Sequence, residues 1–126
     1  MSASPHILIA EDEGLVALAL ADLLQNQGFR VTVAHNGKQA LEADERDPAD
    51  ILLTDMRMPV MDGRELIQRV RQRRPDLPVI VMTGYSENIP REEAGRLAIL
   101  RKPFPPGKLG HVLQSLLPGG LPESAD

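Results

Sequence analysis

Three runs in this chain, Ile7-Leu8-Ile9-Ala10, Ile51-Leu52-Leu53-Thr54 and Val79-Ile80-Val81-Met82, lack the polar alternation of a strand with one face in water. Short runs of this kind fit strands covered on both faces, the condition of a parallel sheet flanked by helices. The intervening segments have helical period. Residues 15 to 26 place Leu15, Leu18, Ala19 and Leu23, with Val16, Leu20 and Leu24, at helical spacing, and Gly28 supplies a stop. Gly63 to Arg73 reads as a helix with Leu66, Ile67 and Val70 on its apolar face, and Pro75 and Pro78 bracket the link to the strand that follows.

The remaining elements are shorter. Val31 to Ala34 is β-prone, Asn36-Gly37 is a turn or helix start, and a short helix runs from Ala40 toward Arg46. A fourth helix is predicted between Glu87 and Leu97, interrupted by Pro90, then a fifth strand at Ala98-Ile99-Leu100 and a last helix from Lys108 to Leu117. Five strands alternating with five helices give an α/β fold: a doubly wound five-stranded parallel sheet with helices on both faces. One domain over residues 6–117 is expected, and the Pro/Gly-rich residues 118–126 read as a tail or linker.

Composition narrows function by exclusion. Lys and Arg number 14 against 18 Asp and Glu, so no general attraction to a phosphate backbone is expected, and direct nucleic-acid binding is set aside. Phe29, Tyr85 and Phe104 are too few aromatic rings for a base-stacking platform. The chain has no cysteine, which rules out disulfides, thiol nucleophiles and thiolate metal sites and suits a reducing compartment. No window approaches a membrane span, so a cytoplasmic protein with no membrane partner is expected.

In a doubly wound sheet, ligands bind beyond the carboxyl ends of the strands. Glu11 and Asp12 follow the first strand, Asp55 ends the third, Thr83 ends the fourth, and Lys102 follows the fifth. Three carboxylates at one sheet edge repel unless a cation compensates, and an oxygen-rich site suits Mg²⁺. Beside such an ion an aspartate can accept a phosphoryl group as an acyl phosphate. Asp55 is then the nucleophile, Glu11 and Asp12 hold the metal, Thr83 hydrogen-bonds a phosphoryl oxygen and Lys102 supplies positive charge. Gly63, Gly84 and Gly107 form no phosphate-cradling series, so the phosphoryl group comes from something other than a nucleotide bound here.

The set Glu11-Asp12, TDMRMPVMDG (Thr54 to Gly63), VMTGYS (Val81 to Ser86) and LRKPF (Leu100 to Phe104) resembles the receiver domain of two-component response regulators, in family order over residues 6–117. The resemblance implies a flavodoxin-like fold of five βα units with strand order 2-1-3-4-5. It implies that Asp55 accepts phosphoryl from a phosphohistidine on a histidine kinase or histidine phosphotransfer protein. It adds the Arg57 backbone carbonyl to Glu11, Asp12 and Asp55 as Mg²⁺ ligands, makes Thr83 the switching hydroxyl and Lys102 the family's lysine, and implies a cis peptide bond before Pro103. A downstream protein is expected at the face of the fourth helix, fifth strand and last helix. The chain then either acts alone or is the receiver of a hybrid histidine kinase.

Ile99 stands where the family often has an aromatic ring, so coupling to that face would run through aliphatic packing. Arg57 and Tyr85 occupy positions that gate water in the family. The alternative is an unphosphorylated pseudo-receiver acting as a constitutive interaction module, favoured by loss of the acidic pair, Asp55 or Lys102; all are present. A haloacid-dehalogenase-like phosphatase would want an aspartate where Arg57 stands. His6, His35 and His111 have no ligand spacing, Met56, Met58, Met61 and Met82 read as packing, and Arg69, Arg71, Arg73 and Arg74 read as a solvated helix end.

Overall fold

The computed structural model describes residues 4–84, 90–93 and 95–117. Five strands, β1 (His6–Ala10), β2 (Arg30–Ala34), β3 (Ile51–Asp55), β4 (Val79–Thr83) and β5 (Leu97–Arg101), pair in parallel in the order β2-β1-β3-β4-β5. Helices α1 (Gly14–Asn26), α2 (Gly37–Arg46), α3 (Gly63–Arg73) and α4 (Pro106–Leu116) cover the two faces.

Side chains alternate across each central strand, and each face has its own core. Ile7, Ile9, Leu53, Ile80 and Met82 meet Leu20 and Leu24 of α1 and Leu109 and Leu113 of α4. Leu8, Leu52, Val79 and Val81 meet Ala40 and Ala43 of α2 and Leu66, Ile67 and Val70 of α3. This two-sided burial is why those strands carry unbroken apolar sequence.

Local chemistry sets the boundaries. Asn36 caps α2 by accepting from the Gln39 N–H (2.8 Å), and Asp62 caps α3 by accepting from the Glu65 N–H (2.9 Å). Helix α1 ends as its glycine predicts: Gly28 has φ 98°, its N–H donates to the Gln25 carbonyl, and the Phe29 N–H reaches the Leu24 carbonyl. The apolar set on α1 is split by packing, since Leu20 and Leu24 are buried while Leu15 and Leu18 are 84% and 66% exposed.

The predicted fourth helix needs correction. Residues 85–89 and 94 of that prediction lie outside the described residues, but Pro90 to Glu93 are not helical. Glu93 instead forms an antiparallel bridge to Leu97, its N–H donating to the Leu97 carbonyl (2.9 Å) and its carbonyl accepting from the Leu97 N–H (2.8 Å). Pro90 has no N–H to donate to a helix, and Gly95 turns the chain at φ 75°. Four helices are therefore found among the described residues where five were predicted. The last strand extends one residue beyond the predicted fifth strand at each end, and the last helix starts at Pro106, two residues early.

The Arg69 to Arg74 series is also less peripheral than its sequence suggests. Arg71 donates to both carboxylate oxygens of Glu93 (3.0 and 3.1 Å) and to the Arg96 carbonyl (2.8 Å), joining α3 to the connection before β5. Arg73 and Arg74 approach the buried Asp44 of α2.

Helix α3 starts with its backbone pressed on β3. A Cβ on Gly63 would lie 2.2 Å from the Asp55 carbonyl oxygen and 3.0 Å from the Met56 Cα. Both neighbours are backbone, so neither can swing aside. Gly63→Ala is expected to lower stability by about 2 kcal/mol in urea denaturation. Gly110→Ala, at a helical position where a Cβ meets nothing within 4 Å, is expected to match or slightly exceed the parent. Equal stability of Gly63→Ala and the parent would refute the contact.

Candidate functional site

The parallel register brings the carboxyl ends of β1, β3, β4 and β5 to one edge, and their polar residues converge there. Glu11, directly after β1, is fully buried, with its N–H donating to the Ala34 carbonyl (3.0 Å) and Oε2 accepting from the Glu13 N–H (3.1 Å). Asp55 ends β3, and its Oδ1 accepts from the Met56 N–H (2.7 Å) and lies 3.4 Å from the Arg57 N–H. Lys102 follows β5, and its N–H donates to the Thr83 carbonyl (2.8 Å). The Lys102 Nζ lies 2.9 Å from Glu11 Oε1 and 3.0 Å from Asp55 Oδ2. The Lys102-Pro103 peptide bond is cis, as the family resemblance implies.

Glu11, Asp12 and Asp55 each present an oxygen, all within 4.8 Å of one another. Among the described residues this is the group of acidic or histidine side chains placed to hold a metal ion. Burial pushes the Glu11 carboxyl above its ordinary range, against the opposing pull of its hydrogen bond from Lys102. Burial alone would lower the Lys102 ammonium, but its hydrogen bonds to Glu11 and Asp55 win and raise it. A buried carboxylate held in part by one ammonium, beside two further carboxylates, is a donor set that fits a hard divalent cation.

These groups open on a cavity of about 790 Å³, lined by Asp12, Asp55, Arg57, Thr83 and Lys102 among others. The fold therefore brings Glu11, Asp12, Asp55 and Lys102 together, with Thr83 lining the same cavity as Asp55. Arg57 lines this cavity; Tyr85 lies outside the described residues. Glu13, Asp62 and Arg64, not among the residues expected at the site, also line the cavity. Their only signal was position: Glu13 continues the acidic first loop, and Asp62 and Arg64 flank the glycine that opens α3.

Other candidates take structural roles. His6 is buried at the opposite end of β1, its ring nitrogens 3.1 Å from the Pro48 carbonyl and 2.7 Å from Thr32 Oγ1. His35 Nδ1 lies 3.3 Å from the Glu11 carbonyl oxygen. Met82 is in the core, and Met56, Met58 and Met61 pack on the cluster beneath α2 and α3. Ile99 is half-buried against that same cluster.

Comparison with known proteins agrees with the fold. The family model described as "Response regulator receiver domain" matches residues 7–114. The DNA-binding transcriptional regulator NtrC of Escherichia coli is 36% identical over 101 residues, which are 78% of this chain but 22% of that protein. The chain thus spans about a fifth of the length of that relative. The response regulator receiver protein CpdR of Brucella abortus is 37% identical over 115 residues, 89% of this chain and 96% of that one. The receiver domain of a Pseudomonas aeruginosa sensor histidine kinase, solved with a magnesium ion coordinated in its active site cleft, superposes with TM-score 0.78 at 32% identity, covering 89% of this chain and 96% of that one. With that family match over nearly its whole folded length, a doubly wound sheet in the order β2-β1-β3-β4-β5 and three carboxylates beside a lysine at its edge, the chain belongs to the response regulator receiver domain family.

Proposed function

We propose that Asp55 accepts a phosphoryl group from a phosphohistidine of a histidine kinase or histidine phosphotransfer protein, in a Mg²⁺-dependent reaction that switches a partner-binding face. The observation that carries this reading is the Asp55 carboxylate 3.0 Å from the Lys102 ammonium, with oxygens of Glu11 and Asp12 within 4.8 Å, in an open cavity at the sheet edge. An Asp55 oxygen attacks phosphorus, the phosphorus–nitrogen bond of the phosphohistidine breaks, and the imidazole leaves with the bonding pair. Lys102 steadies charge on the transferring group, and the Thr83 hydroxyl donates to one of its oxygens. Glu11, Asp12, Asp55 and the Arg57 carbonyl would hold Mg²⁺, which when bound neutralises phosphoryl oxygens.

The output is a shift of population toward a conformer whose surface around β5 and α4 binds a downstream protein differently. Ile99, on β5, makes that coupling a matter of aliphatic packing. Water then hydrolyses the acyl phosphate slowly, so the chain is a switch that catalyses its own modification. A cytoplasmic setting suits that chemistry, and none of the described helices is long and apolar enough to cross a membrane. The folded unit is taken as residues 6–117, with residues 118–126, outside the described residues, as tail or linker.

The first test is intact mass after incubation with acetyl phosphate. The parent is expected to gain about 80 Da with Mg²⁺ and nothing without it, and Asp55→Ala to gain nothing while keeping its fold. Equal uptake by Asp55→Ala would refute the assignment, and no uptake by the parent from either acetyl phosphate or a phosphohistidine donor would leave a constitutive interaction module.

Glu11 gives a second test through pH. Because burial raises this carboxyl in the folded state, the folded chain binds its proton more tightly than the unfolded chain. The contribution of this group to stability therefore falls as pH rises from the ordinary value of 4.5 through the raised folded one. In metal-free buffer the stability of Glu11→Gln relative to the parent is expected to grow across that interval and then level off. A flat difference from pH 4.5 to 8 would contradict it. Added Mg²⁺ should stabilise the parent by about 2.7 kcal/mol at a hundredfold excess over its dissociation constant and the variant by far less, read as a shift in thermal midpoint.

A further inference from the structure

The Lys102 ammonium has few hydrogen-bond donors left for a phosphoryl group at Asp55. An ammonium has three, and Lys102 already directs two at Glu11 and Asp55. A donor phosphoryl group brings negatively charged oxygens into a space whose walls carry Asp12, Glu13, Asp55 and Asp62. Besides Lys102, the cations lining that space among the described residues are Arg57 and Arg64.

Arg64 has the better-fixed base. It is the second residue of α3, directly after the glycine whose missing side chain lets the helix abut the Asp55 backbone. The Gly63 N–H donates to the Met56 carbonyl (3.0 Å), and the Asp62 cap secures the turn through the Glu65 N–H (2.9 Å). The Arg64 backbone therefore follows directly on the Gly63 contact with the Asp55 backbone, and its exposed side chain lines the cavity. A planar guanidinium presents paired donors suited to phosphoryl oxygens.

We propose that Arg64 is a phosphoryl-binding residue of this site, which holds a non-transferring oxygen of the incoming donor and favours donors of higher negative charge. The inference rests on Asp55 being the acceptor. It adds a residue that selects the donor before transfer, and the transfer itself is unchanged: with acetyl phosphate, the Asp55 oxygen forms the new bond to phosphorus and acetate leaves with the electron pair of the broken phosphorus–oxygen bond.

The experiment follows mass gain at saturating Mg²⁺ against donor concentration for the parent, Arg64→Gln and Arg64→Lys, with thermal midpoint and Mg²⁺ titration as folding checks. For Arg64→Gln the rate constant per unit acetyl phosphate is expected to fall about tenfold, the loss of one charge-assisted hydrogen bond, with a flatter dependence on salt. The effect should lie in the half-saturating concentration more than in the maximal rate, and Arg64→Lys should recover most of it. With phosphoramidate, which carries less negative charge, the loss should be about threefold or less. Unchanged kinetics in Arg64→Gln, equal losses with both donors, or no recovery in Arg64→Lys would each overturn the inference while the acceptor reading stands. No Mg²⁺-dependent gain by the parent would remove the acceptor reading and this inference with it.

Discussion

The Lys102 ammonium, 2.9 Å from Glu11 and 3.0 Å from Asp55, is the contact on which the rest of this edge depends. Glu11 is fully buried at the end of β1, where an unpaired carboxylate would be expelled or protonated. One ammonium relieves part of that cost and leaves Glu11 raised above its ordinary range, so the site remains short of positive charge. That deficit makes it receptive to a divalent cation, and the same charge balance favours a phosphoryl group arriving with one.

The loop between β3 and α3 carries a second constraint. Met61 donates its N–H to the Pro59 carbonyl (2.7 Å) across Val60, whose φ is 70°. A γ-turn of this sign is strained, and more so on a β-branched side chain. The loop is held in this shape from both ends. The Gly37 N–H donates to the Met61 carbonyl (2.9 Å), where a Cβ on Gly37 would lie 2.5 Å from that same oxygen, and Gly63 packs on Asp55. Strain next to an acceptor persists only where the surroundings over-determine it, and here two glycines supply those surroundings.

On the far side of the sheet, β5 is an edge strand whose outward N–H groups are answered from within the chain. Leu97 bonds the Glu93 carbonyl, and the Ile99 N–H donates to the Glu92 carboxylate (3.1 Å). Arg71 of α3 fixes Glu93 in turn. At Leu97 and Ile99 the edge N–H groups are therefore answered from within the chain, which lowers their tendency to pair with another strand.

Much of this was readable in the residues. Unbroken apolar runs at β1, β3 and β4 announced a sheet buried on both faces, because only two-sided burial removes the need for alternation. The stop at Gly28 and the polar residues trailing each strand were equally plain, since stops and strand ends are set by local turn chemistry. What distant elements do to one another was not. Pro90 interrupts the predicted fourth helix, but the Arg71 that holds the Glu93 carboxylate beside the Glu93 to Leu97 bridge arrives from another element. Leu15 and Leu20 sit on the same helix with similar chemistry, and only packing decided that one is exposed and the other buried. The sequence by itself determined which residue types end each strand, because period and turn chemistry are local. Tertiary structure alone decided that Lys102 spans Glu11 and Asp55 and that Arg64 lines one cavity with Asp55 and Lys102, because those positions are set by the register of strands and helices far apart in the chain.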